Sequence, residues 1–163
     1  MVKKNLKALC LSGFIVCIDQ VTKILIKHFM VKEKFMPLIG KYIGFRYIEN
    51  EGMALGFQIG PKQFFTIFTA IASLVIVIFL FRLKENHFGT RIALSAILGG
   101  AIGNLIDRIL YGKVVDFIEI GPWPIFNFAD VAVTFGMLLL IFIVFLERKE
   151  DKELQEEKFE INY

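Results

Sequence analysis

Long apolar runs separated by short clusters of charge dominate the chain. Four of them, at about 6–29, 64–81, 92–110 and 128–146, approach or exceed the length needed to cross a bilayer as a helix, which is about 20 mostly apolar residues. Charge brackets each run: Lys3, Lys4 and Lys7 at the start of the first, Arg82 and Lys84 after the second, Arg91 before the third, and Glu147, Arg148 and Lys149 after the fourth. The stretch at 30–62 has a different pattern. Residues Tyr42-Ile43-Gly44-Phe45-Arg46-Tyr47-Ile48 are rich in strand formers and partly alternate, and Gly40, Gly44, Gly52, Gly56, Gly60 and Pro61 punctuate the surroundings. The pattern predicts an all-α membrane protein with four transmembrane helices and a small extracytoplasmic β-sheet resting on the membrane surface. It groups residues 1–146 into one integral-membrane domain, followed by a charged tail at 147–163.

Composition sharpens this picture. Of 163 residues, 56% are hydrophobic and 14% aromatic, and the mean hydropathy is +0.62. A soluble domain of this length has too little interior to bury so much apolar side chain. The net charge of +3 is modest, and its basic residues form no concentrated face, so nucleic acid is not an expected partner. Ten Lys and Arg fall on the side of the chain termini and seven on the other, which orients both termini to the cytoplasm. The first apolar run is expected to be retained, not cleaved as a signal peptide, because Asp19 and Lys23 lie inside it and no small-x-small site follows it. The tail carries four basic and seven acidic residues and reads as a solvated helix extension or a disordered end. Cys10 and Cys17 lie two helical turns apart, roughly 10 Å, too far for a disulfide.

Against this apolar background the polar residues stand out. Ionisable groups inside a spanning helix cost roughly 2.5–3.5 kcal/mol each on insertion scales, so they mark candidate sites. Asp19 and Lys23 share one face of the first helix, and Asn104, Asp107 and Arg108 cluster on the third. They are either functional or ion pairs that hold the bundle together. Gly99, Gly100 and Gly103 would let another helix approach the third closely. Two carboxylates are more suggestive. Asp116 lies in Val114-Val115-Asp116-Phe117-Ile118, just beyond the third helix, and Asp130 lies in Phe126-Asn127-Phe128-Ala129-Asp130, in the first turn of the fourth. Asp130 also fits a helix cap, favoured by the helix dipole. Two carboxyl groups sharing a poorly solvated site do not both ionise readily. One keeps its proton and serves as acid while the other serves as base toward water. Glu119 is the rival member of such a pair. Other hydrolytic chemistries fit poorly: there is no H-E-x-x-H motif, and Ser12, Ser73 and Ser95 all lie within helices.

The order of these motifs resembles one family, lipoprotein signal peptidase (signal peptidase II). Five segments carry the resemblance: Asp19-Gln20-Val21-Thr22-Lys23; Asn50-Glu51-Gly52-Met53-Ala54-Leu55-Gly56; Gly99-Gly100-Ala101-Ile102-Gly103-Asn104-Leu105-Ile106-Asp107-Arg108; Val114-Val115-Asp116-Phe117-Ile118; and Phe126-Asn127-Phe128-Ala129-Asp130. The resemblance implies an intramembrane aspartyl endopeptidase of the bacterial inner (cytoplasmic) membrane. It would have cytoplasmic termini, a periplasmic β-cradle at about 30–62 and an active site near the outer face. The implied reaction removes the signal peptide from diacylglyceryl-modified prolipoproteins, cutting just before the lipidated cysteine. The implied catalytic pair is Asp116 and Asp130. Asn50, Asn104, Arg108 and Asn127 are implied as polar support, with Asp19, Lys23 and Asp107 in structural or substrate-positioning roles. No metal or cofactor is implied. The expected partners are prolipoprotein substrates, membrane lipids and the inhibitor globomycin, and the expected state is a monomer. The second motif departs from the family pattern, Asn-x-Gly-Ala-Ala followed by an aromatic residue. Met53 stands for the first Ala and Leu55 for the aromatic, which bears on the shape of the pocket near that loop.

Overall fold

The computed structural model describes the backbone of residues 2–51, 53–54, 57–58, 62–84 and 87–161, and side chains within 5–51, 63–84 and 87–149. In chain order the elements are α1 (Val2–Phe29), β1 (Phe35–Ile39), β2 (Ile43–Asn50), β3 (Met53–Ala54), β4 (Phe57–Gln58), α2 (Lys62–Arg82), α3 (Phe88–Tyr111), β5 (Val114–Ile120) and α4 (Phe128–Ile161). All four helices are long and apolar enough to cross a membrane. Three of them leave most of their span uncovered by protein, whereas α3 is more than half buried. It is the central helix, packed by α1, α2 and α4.

Lipid is as apolar as leucine, so burial of apolar area does not by itself bring such helices together. Close backbone approach and polar contacts do. The glycines of α3 provide the approach, and they face two helices rather than one. A Cβ on Gly99 would meet Ile15 and the Ser12 carbonyl of α1, and one on Gly100 would run into the Ala129 carbonyl of α4. The polar contacts lie at both ends. Near the chain termini Ser12 donates to the Ser95 carbonyl at 2.9 Å. Arg91, read from sequence as the charge that bounds the third run, is instead buried at 4% exposure inside α3. It donates to Asn5 Oδ1 and to the carbonyls of Leu80, Leu83 and Lys84. It therefore ties the last turn of α2 and the two residues after it to α1 and α3, and α3 begins one turn before Arg91 because this cation has partners inside the protein.

At the opposite end lies a three-stranded antiparallel sheet in the order β1-β2-β5. The sequence reading put its strands within 30–62. The edge strand β5 instead comes from beyond α3; in Val114–Ile120 the acids Asp116 and Glu119 are three apart, which breaks the period-2 alternation that would mark a strand. A bulge sets two residues of β2, Arg46 and Tyr47, against Phe117 of β5 and shifts the register. Such bulges re-aim the side chains that follow, here those around Asp116. Glu49 ties the sheet to its surroundings through Lys32 (2.7 Å) and Lys113 (2.6 Å), and Tyr47 donates to it at 2.9 Å. Hydrogen bonds from the two lysines hold the Glu49 carboxyl down at about 2. In the short hairpin β3–β4 the first strand falls in the second motif and the second strand follows it directly. Gly52, Leu55 and Gly56 of that motif lie outside the described residues, as do the side chains of Met53 and Ala54. Backbone helix continues through the charged tail as far as Ile161, the extension that the charge pattern allowed. Cys10 and Cys17 are both free thiols.

Candidate active site

The start of α4 organises the site. Asn127 is its N-cap: Asn127 Oδ1 accepts from the Asp130 N–H at 3.0 Å, and Asp130 Oδ2 accepts from the Asn127 N–H at 3.1 Å. This reciprocal arrangement satisfies two otherwise orphaned donors, as a capping box does. The cap reading of Asp130 and its candidacy for chemistry are therefore compatible, because Oδ2 serves the helix while Oδ1 accepts from Asn104 Nδ2 at 2.8 Å. Asn127 has a second task. Its Nδ2 donates to Asp116 Oδ1 at 2.7 Å and to Asn104 Oδ1 at 3.0 Å. One fully buried amide thus touches both carboxyl groups, by its side chain on one and its backbone on the other.

Asp116 comes from β5, and only 2% of it is exposed. Its other oxygen accepts from Asn50 Nδ2, at the end of β2, at 2.9 Å. Burial, and then the neighbouring Asp130 charge, push the Asp116 carboxyl up to about 7 against the opposing pull of the Asn50 and Asn127 hydrogen bonds.

Beneath this pair lies a buried ionic cluster. Lys23 Nζ contacts Asp19 Oδ2 at 2.8 Å, Asp107 Oδ2 at 3.2 Å and Asn104 Oδ1 at 2.9 Å, which uses all three donors of an ammonium. Asp19 Oδ1 accepts from the Ala129 N–H in the first turn of α4 at 2.9 Å, and Asp107 Oδ2 accepts from the Val115 N–H next to Asp116 at 3.1 Å. Gln20, not singled out from sequence, donates to Asp19 Oδ2, Asp107 Oδ1 and the Gly103 carbonyl. The signal that would have found it is its place beside Asp19 on a spanning helix. Asp19, Lys23 and Asp107 thus belong to one cluster that fixes the chain on either side of the carboxyl pair. Glu119, the rival partner, is held by Arg46 through two contacts of 2.6 and 3.0 Å.

The pair borders a cavity of about 1290 Å³. Its polar lining includes Asn50, Asn104, Arg108, Asp116, Glu119 and Asp130. Among the described residues no hydrogen bond or ion pair engages the Arg108 side chain, which leaves its guanidinium available on the cavity wall. Val131, Thr134, Phe135 and Leu138 continue the lining along one face of α4, with Phe65 of α2 beside them. Trp123, Pro124, Ile125 and Phe126 add an apolar wall from the β5–α4 connection. Among the described residues no three His, Cys, Asp or Glu side chains converge as metal ligands. The arrangement is a pair of hydrogen-bonded carboxyl groups, one raised in pKa, beside a space large enough for an extended peptide.

Residues 11–146 match the family described as Signal peptidase (SPase) II. The chain belongs to the signal peptidase II family. The lipoprotein signal peptidase of Brevibacillus brevis is 39% identical over 144 residues, covering 87% of this chain and 97% of that protein. That of Moorella thermoacetica is 34% identical, covering 87% and 95%. Among solved structures, a bacterial membrane enzyme determined by the in meso method at 2.3 Å resolution superposes with a TM-score of 0.81 at 35% identity, covering 90% of this chain and 91% of that one. A second, at 1.9 Å resolution, gives 0.77 at 34% identity. Membership of the signal peptidase II family makes the protein a peptidase, and the four apolar helices make it a multi-pass membrane protein.

Proposed function

We propose that the protein is an intramembrane aspartyl endopeptidase that removes the signal peptide from diacylglyceryl-modified prolipoproteins and cuts just before the lipidated cysteine. The observation that carries this reading is the Asn127 bridge between Asp116 and Asp130 at the wall of a cavity that continues along an apolar face of α4. The relatives' name, lipoprotein signal peptidase, supports the substrate class.

In the proposed reaction Asp116 holds the shared proton, as its raised carboxyl favours, and Asp130 is the base. Asp130 takes a proton from water as the water oxygen bonds to the scissile carbonyl carbon, and Asp116 gives its proton to the carbonyl oxygen. The C–N bond then breaks. The proton on Asp130 passes to the departing amine, and a hydroxyl proton returns to Asp116. Asn50, Asn104 and Asn127 hold the two carboxyls in place, and Arg108 binds backbone carbonyls of the substrate. Asp19, Lys23 and Asp107 secure the elements that carry the pair. No metal or cofactor takes part. The apolar part of the signal peptide lies along Val131, Thr134, Phe135 and Leu138.

The protein works as a monomer in the cytoplasmic membrane, with both termini in the cytoplasm and the carboxyl pair near the outer face, where water reaches the bond. The test is cleavage of a diacylated prolipoprotein by purified protein. Wild type is expected to cut it and to be inhibited by globomycin. Asp116→Asn and Asp130→Asn are each expected to lose about 10²–10⁴-fold in rate. Near wild-type activity in either variant would remove that residue from the pair, and an inactive wild type would end the peptidase reading.

A further inference from the structure

The cavity has two apolar arms, and the proposed reading accounts for one of them. From Asp130 the α4 face Val131–Thr134–Phe135–Leu138 runs away from the helix N-terminus. Trp123 to Phe126 lie on the other side of that N-terminus, immediately before Asn127. This second arm is held rigidly. Phe126 and Ile118 exchange backbone hydrogen bonds of 2.7 and 3.1 Å, Phe117 N–H also donates to the Phe126 carbonyl, the Trp123 N–H donates to the Ile120 carbonyl at 3.1 Å, and the Gly121 N–H donates to the Tyr42 carbonyl in the β1–β2 turn at 2.6 Å. The loop is therefore stapled at its base between the strand that carries Asp116 and the helix that carries Asp130. At its tip Trp123 is 68% exposed, yet it lines the cavity. Among the described residues its indole N–H has no hydrogen-bond acceptor.

A large ring held out on a rigid turn, with an unused donor, loses little conformational freedom on binding a ligand. Indole suits the boundary between hydrocarbon and polar groups, where its face meets chains and its N–H meets oxygen. The proposed substrate has two apolar parts flanking the cut, a peptide segment and a pair of acyl chains joined through ester oxygens. We infer that Trp123 is a specificity-determining residue that binds the diacylglyceryl group, its ring against the acyl chains and its N–H toward an ester carbonyl. This inference rests on the cavity being the prolipoprotein site.

Trp123 is the only tryptophan in the chain, so selectively excited tryptophan emission reports on this position alone. The experiment titrates Asp130→Asn protein in detergent with a diacylglyceryl-cysteine peptide and with the same peptide bearing an acetamide-blocked cysteine. A blue shift with the first and none with the second is expected. In the otherwise wild-type enzyme, Trp123→Ala is expected to raise KM for the diacylated peptide about tenfold with little change in kcat. Trp123→Phe, which keeps the ring, should recover part of that loss. Equal shifts with both peptides would assign Trp123 to the peptide and overturn the inference. So would an unchanged emission, or an unchanged KM in Trp123→Ala, while wild type cleaves the diacylated peptide. Failure of wild type to cleave that peptide is a separate result and would remove the proposed function itself.

Discussion

Asp116 and Lys23 show how differently a buried ionisable side chain can be supported. Lys23 is sealed from solvent but has three oxygen partners, two of them carboxyls. Removing it would leave Asp19 and Asp107 buried against each other without a cation. Breaking one partner out of a buried ion cluster costs about 3–5 kcal/mol. Lys23→Met is therefore expected to lower the thermal midpoint in detergent sharply, whereas exchange of an exposed lysine such as Lys41 should leave it in place. Asp116 has amide donors but, among the described residues, no direct cationic partner, and burial together with the Asp130 charge raises its carboxyl to about 7. With Asp116 as the proton holder, the active form is populated below about pH 7, and kcat should fall as pH rises through that value. Because the Asn50 hydrogen bond favours the ionised form, Asn50→Ala should move this alkaline limb to higher pH. A limb that stays put, or moves down, would show that Asp116 is not the group being titrated.

Among the elements, the contact between α3 and α4 positions the pair. Gly100 lies under the Ala129 carbonyl, one residue before Asp130, and a Cβ there would also come within 2.8 Å of Val133. Gly100→Leu must push α4 outward and carry Asp130 with it. Overpacking of this kind costs about 1–3 kcal/mol, and the loss of activity should exceed what that instability explains. Comparing kcat with the thermal midpoint of the same variant checks this. The sheet makes a matching demand from the other side, since Asp116 faces the pair only because β5 is docked on β2 past the Arg46–Tyr47 bulge. The helices were legible from apolar run length, and Asp116 and Asp130 from their apolar flanks and motif order. The third strand, Arg91 as a buried pin and Gln20 in the ionic cluster were not legible. Each depends on a partner distant in sequence, and no local periodicity reports it.

On the scale of the whole molecule, the termini lie at one end of the bundle and the sheet at the other, with the candidate pair at the sheet end. The distribution of Lys and Arg predicts that the termini face the cytoplasm, the orientation proposed above. Single cysteines in a background lacking Cys10 and Cys17 provide the check. In intact cells a membrane-impermeant thiol reagent should label Lys41→Cys on the sheet side and label Lys152→Cys in the tail only after lysis. The reverse pattern would invert the topology and put the carboxyl pair on the wrong side for a secreted prolipoprotein. Sequence alone determined what depends on local quantities: four spans from run length, a strand-rich insertion from composition, and the presence of polar groups whose burial has to be compensated. Tertiary structure decided how that compensation is arranged. It brought α1, α3, α4 and β5 around Lys23 and Asn127, gave one Asp130 oxygen to the helix cap and the other to Asn104, and left Asp116, among the described residues, with amide donors and no direct cationic partner. A hydrogen bond acts over about 3 Å, and only the folded chain sets which groups come that close.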